Sequence, residues 1–286
     1  MNWKRFYMIL VLVATVSVAN AQSNLLNAKK AGEIGVKSEE QKAVDKDKPL
    51  PYGYIADRDV LWSKVVWEYV DLSQKINLPY YFPIDTLNAP ANRRSLFDTL
   101  LKGVKSGQLT EVYTDSYFTT KVNVDELDQL LVNSRQVGDY VDNYEIKSDR
   151  IEGYMLKGMW YFDKRQGELK YRLLAIAPMG PDVQSLGVEE IDDSENVYEL
   201  FWVFYPEARD LLHKTKVFNP KNSSQPISYD NLLNARRFNS TIVKEENIYG
   251  NRGIKDYVRG NSLFQLLEAE KIKDGIRNRE MDMWNY

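Results

Sequence analysis

"DVLWSKVVWEYVDLSQKI", residues 59–76, decides how the first half of this chain is read. At about 100° per residue, Leu61, Leu72, Val65, Ile76, Tyr69, Trp62, Val66 and Val70 fill one continuous half of a helical wheel. Asp71, Lys64, Lys75, Glu68, Ser63 and Gln74 fill the other half. The spacing therefore predicts a helix that stops before Pro79. Trp67 and Val60 break the pattern, because both fall in the middle of the polar half. A helix with apolar groups on two sides needs two covers. The second cover is either another part of the chain or a partner.

Working outward, the segments on either side are read the same way. Ser95 has the chemistry of an N-cap for a second helix, with Leu96, Leu100 and Val104 on one face and Gly107 beyond its end. A third helix is expected over 125–135, around Leu127, Leu130 and Leu131. The second half opens with strands. "YMLKGMWYF" (154–162) and "LKYRLLAIA" (169–177) flank a polar turn containing Gly167 and read as a hairpin. "VYELFWVFY" (197–205) is apolar on both faces, which suits an internal strand. Pro206 starts a helix with the apolar line Ala208, Leu211 and Leu212. A helix over 229–238 and a strand over 240–244 follow. The expected fold class is α+β: a helical N-terminal half, then antiparallel strands with packed helices, with room for two lobes meeting near residue 148.

The C-terminal stretch 262–284 is helical, but its apolar residues change sides. Leu263 and Leu267 share one face, while Ile272, Ile276 and Met283 lie opposite. Either the helix breaks near Gly275 or its two ends touch different things. Val60, Trp67, Ile272, Ile276, Met283 and Trp284 are accordingly the candidates for a partner interface.

The ends and the composition bound the setting. Lys4 and Arg5, the apolar run Phe6–Ala19 and the small residues Ala19-Asn20-Ala21 have the form of a secretory signal over 1–21, cleaved before Gln22. The run is short for an uncleaved membrane anchor, and no cysteine follows it to carry a lipid. Removing Lys4 and Arg5 takes the formal net charge from −3 to −5, which argues against a nucleic-acid binder. The chain has no cysteine, so an exported form relies on a packed core rather than on disulfides. Residues 22–51 hold few large apolar groups and are expected to be a flexible arm ahead of a folded body at 52–286. The 19 tyrosines and six tryptophans suit protein interfaces and sugar binding alike.

Catalytic and metal sets are sparse. The single histidine, His213, lies off the apolar line of its helix, reads as a surface residue, and has no nucleophile elbow to go with it. One histidine and no cysteine cannot supply the common zinc sets. "VEEIDDSENVYE" (188–199) lacks the spacing and the glycine of a calcium loop and reads as a solvated acidic loop. The pairs Arg93–Arg94 and Arg236–Arg237 could hold an anion but more commonly sit in surface ion pairs. No cofactor, metal or catalytic residue is expected.

Four separated segments nevertheless match a known family in order. "DVLWSKVVWEYVDLSQKINLPYYFP" (59–83), "MWYFDKRQGELKYRLLAIAP" (159–178), "VFNPKNSSQPISYDNLLNARRFNSTIVKEENIYGNRGIKDY" (217–257) and the ending "EAEKIKDGIRNREMDMWNY" (268–286) resemble the gliding-motility GldN family and its PorN relatives over about 52–286. The resemblance implies a periplasmic component of a type IX protein secretion system. Such a component would join a K-type outer-membrane lipoprotein in a large ring and neighbour the periplasmic part of the inner-membrane motor. It implies no catalytic motif. Members of the family are often basic, and this chain departs from that. The alternative of a different class is a periplasmic glycan- or peptidoglycan-binding module or hydrolase. A cleft lined by Tyr or Trp, with two carboxylates facing each other, would mark it.

Overall fold

A computed structural model describes residues 47–85, 93–137, 140–186, 197–219 and 227–283, with 30 and 222 singly. The expected signal segment, most of the arm, the acidic run at 188–196 and Trp284 lie outside the described residues.

The quoted stretch is a strand, not a helix. β1 (Val60–Asp71) pairs antiparallel with β5 (Gly153–Asp163) on one side and with β11 (Thr241–Glu245) on the other. Its composition explains the correction. Val60, Val65, Val66, Val70, Trp62, Trp67 and Tyr69 are β-branched or aromatic, the types that suit a pleated and buried surface. Both faces of β1 are covered, so the period-2 alternation that marks a half-buried strand is missing. A two-sided apolar run projected on a helical wheel still fills half of it by chance. Residues 60–71 are therefore not helical, and the first half of the body is not the mainly helical half that the spacing predicts.

β1 lies inside a seven-stranded sheet of order β11, β1, β5, β6 (Glu168–Pro181), β8 (Trp202–Phe204) and β2 (Val112–Tyr113), with β7 (Val197–Glu199) also paired to β6. Every pairing in it is antiparallel, as is the separate pair β9 (Lys216–Val217) and β10 (Ile227–Ser228). β5 and β6 are the expected hairpin, with Phe162 opposite Leu169 and Gly167 taking φ 65 at the turn. The stretch 197–205 is two short strands rather than one, because Leu200 and Phe201 between them turn into the core.

One face of the sheet carries the main core. There Val70, Tyr154, Leu156, Leu173 and Ile176 meet α1 (Leu78–Tyr81), α2 (Leu96–Lys105), α3 (Val124–Leu131), α4 (Tyr205–Lys214) and α5 (Tyr229–Asn234). α2 starts where expected, with Ser95 Oγ accepting from the Asp98 N–H at 3.1 Å. α3 is shorter than the expected 125–135, because Val132 enters the ribbon β3 (Val132–Val137) and β4 (Tyr140–Glu145). α5 stops short of residue 238, with Arg236 in the left-handed region at φ 49. α6 (Ile254–Tyr257) precedes α7 (Ser262–Met283), which runs unbroken through Gly275.

Candidate functional site

The residues expected to meet a partner fall in three places. Trp67 is 3% exposed, so the expectation that it stands on the outer face of a helix is corrected. It projects from the sheet face opposite the main core and forms a second cluster with Met155, Ala175, Ala177, Met179 and Trp202. Register places it between two lysines, Lys157 on β5 and Lys244 on β11. Their ammonium nitrogens lie 5.1 and 4.5 Å from its ring centroid.

The loop after β2 closes over this row. Asp115 shapes the loop by accepting from the N–H of Tyr117 at 2.7 Å and of Thr120 at 3.2 Å. These bonds bring the Tyr117 ring to 6.0 Å from Trp67 and the Ser116 carbonyl to 2.6 Å from Lys157 Nζ. Lys244 Nζ donates to Tyr117 Oη at 3.0 Å. Burial pushes Lys157 below the ordinary lysine range, and repulsion from Lys244 adds to it.

Beside them is a pocket of about 290 Å³ lined by Trp67, Tyr117, Met155, Lys244, Asp115 and Glu199. Its two carboxyls differ. Burial raises Glu199, against the hydrogen bond it accepts from Trp202 Nε1 at 2.8 Å. Desolvation also acts on Asp115, but the bonds from Thr119, Tyr117 and Thr120 outweigh it and hold that carboxyl low. Two aromatics and two acids thus share one pocket. Asp115 is engaged by its own loop and ammonium groups stand over the Trp67 ring, whereas the buried Trp67 Nε1 has no hydrogen-bond partner among the described residues.

Ile272 and Ile276 are also buried. They pack from α7 onto Val66, Ile242 and Ile254, on the opposite side of β1 from Trp67, which corrects their assignment as free interface residues. Val60 and Met283 are half-buried. A pocket of about 310 Å³ between α7 and the sheet holds Glu68, Trp160, Arg236, Lys273 and Arg277. At its base Glu68, 1% exposed, accepts twice from Arg236 Nη2, at 2.9 and 3.1 Å, and once from Ser240 at 2.8 Å. Arg236 lies 4.0 Å from the Tyr171 ring centroid and 5.0 Å from that of Trp160.

Arg236 and Arg94, one from each arginine pair, are therefore neutralised, by Glu68 and Asp98 respectively. His213 is buried rather than on the surface, with Ser228 Oγ 3.5 Å from its Nδ1. That hydroxyl is also the N-cap of α5, accepting from the Asn231 N–H at 3.2 Å, so the pair ties α4 to the start of α5 inside the body. Among the described residues no group of three or more acidic, histidine or cysteine side chains is placed to hold a metal.

What sequence reasoning missed is an exposed patch. Leu263, Phe264, Leu266 and Leu267, in the first two turns of α7, are all more than half exposed, as are Ile248 and Tyr249 in the loop after β11. The signal was present in the change of sides along 262–284.

The fold is an antiparallel α+β body with two lined pockets and an exposed apolar patch. The chain matches the family model described as gliding motility associated protein GldN over residues 55–285, and it belongs to that family. No curated protein matches the chain significantly.

Proposed function

We propose that the chain is a non-enzymatic structural subunit of the periplasmic ring of the type IX protein secretion and gliding-motility machinery. In this reading it assembles with a K-type outer-membrane lipoprotein, which attaches it to the outer membrane. It also contacts the periplasmic part of the inner-membrane motor and associates with copies of itself. The match to a gliding-motility family across almost the whole folded body carries the reading. The ribbon β3–β4 supports self-association. Its strands pair only with each other among the described residues, leaving outer edges for a neighbouring copy.

The test is to mix the purified chain with the soluble domain of the K-type lipoprotein. A large, stable complex seen by light scattering is the expected result, with the lipoprotein recovered in near-equal amount from the native envelope. No association at micromolar concentration would overturn the reading. The rival glycan-binding or hydrolase reading draws on the Trp67 pocket. Retention on purified peptidoglycan that is lost in Tyr117→Ala and Glu199→Gln would favour that rival.

A further inference from the structure

We propose that the patch formed by the loop after β11 and the first turns of α7 docks onto the surface of an anionic lipid bilayer. α7 is apolar on two opposite sides. Ala269, Ile272 and Ile276 form the side packed against the sheet. Leu263, Phe264, Leu266 and Leu267 span an arc about 160° wide on the other side, at the helical rotation of 3.6 residues per turn. Leu263 is 62% exposed and Phe264 58%, and the loop residue Ile248 reaches 90%.

Ring contacts join the two pieces. Arg252 stands 4.6 Å from the Tyr249 ring centroid and 5.0 Å from that of Tyr257, whose hydroxyl lies 3.5 Å from Glu268 of α7. The patch is thus apolar, aromatic and exposed.

Its charge points to the occupant. From 246 to 267 the chain has three exposed basic residues, Arg252, Lys255 and Arg259, and two exposed acids, Glu246 and Asp256. No carboxylate lies within ion-pairing distance of any of the three among the described residues. Asp256 is occupied as the cap of α6, accepting from the Gly253 N–H at 2.6 Å. Beyond the patch, Glu268 and Glu270 are paired with Lys271 and Lys273. A net acidic chain therefore presents a local excess of positive charge around exposed Ile, Leu, Phe and Tyr side chains.

An interfacial segment has this composition, with the apolar side entering the headgroup boundary by about 5–10 Å while the cations meet anionic lipid. The inference goes beyond the ring reading and does not rest on it, since vesicle binding and lipoprotein assembly can each fail alone.

The test is flotation of residues 22–286, which leaves out the apolar run of the expected signal segment. Phosphatidylcholine vesicles with and without phosphatidylglycerol are compared. Binding is expected to anionic vesicles and to weaken with salt. Ile248→Ser, Phe264→Ser and Leu267→Ser combined should weaken it at least about a hundred-fold. Arg252→Gln or Arg259→Gln should each weaken it about five-fold, on anionic vesicles only. Ile248→Trp, which keeps the patch apolar, should show tryptophan emission quenched by brominated acyl chains. Absence of flotation, or a triple variant that floats like the parent, would overturn the proposal. So would an unquenched Trp at 248. A self-association that the triple variant abolishes, without vesicle binding, would assign the patch to a protein contact instead.

Discussion

Trp67 and Phe264 are both large aromatics, and the fold treats them oppositely. Trp67 is roofed by its own chain: a loop held in shape by Asp115, with Lys157 and Lys244 over its ring. Phe264 has no such roof and is 58% exposed. Trp67 lies in the middle of a sheet, where a neighbouring strand or loop is always at hand. Phe264 lies on the outer side of a helix whose inner side already satisfies the sheet, so nothing in the described body reaches it. An aromatic surplus is therefore not one quantity. Part of it builds a second small core, and part is left at the surface.

The largest test of this contrast is alkaline pH. Burial pushes Tyr69 up to about 12 from the ordinary 10.0 and pushes Tyr80, Tyr154, Tyr171 and Tyr205 higher still. The native state keeps protons that the unfolded chain loses. Stability should be intact below about pH 10 and fall as pH rises toward 12. Tyrosinate absorbance should rise gradually for exposed rings and then cooperatively, together with loss of the circular dichroism signal. A smooth titration without unfolding would break the division into buried and exposed aromatics.

Trp67→Ala should cost about 4 kcal/mol, read from chemical denaturation, because it empties the second core. A loss near zero would put Trp67 back among the interface residues. Glu68→Gln comes next, at about 3 kcal/mol, since it leaves the Arg236 guanidinium buried without its counter-charge. The smallest effect belongs to the other side of the comparison. Phe264→Ser and Leu267→Ser should each shift stability by less than about 0.5 kcal/mol while changing what the surface binds. A loss as large as that of Trp67→Ala would mean that the patch is covered after all.

The β5–β6 hairpin was legible because its polar turn and Gly167 separate two apolar runs, and α2 because Ser95 announces it. The change of sides in α7 was legible as well, although which of its two explanations applied was not. The pocket around Trp67 was not legible. Its lining comes from residues 67, 114–117, 155, 199 and 243–244, and no local pattern links positions so far apart. The buried state of His213 was likewise hidden, since it depends on tertiary neighbours such as Ser228, fifteen residues away.

By itself the amino-acid sequence determined the family, the α+β class, the main hairpin and the absence of disulfides. These follow from order, local periodicity and composition, which do not depend on the rest of the fold. Only the tertiary structure decided that residues 60–71 are a strand, that Trp67 is inside and that the start of α7 is bare. The reason is that a run apolar on both faces satisfies a helix and a doubly covered strand equally well. The choice falls to the long-range partners, here β5 and β11, that offer its backbone hydrogen bonds.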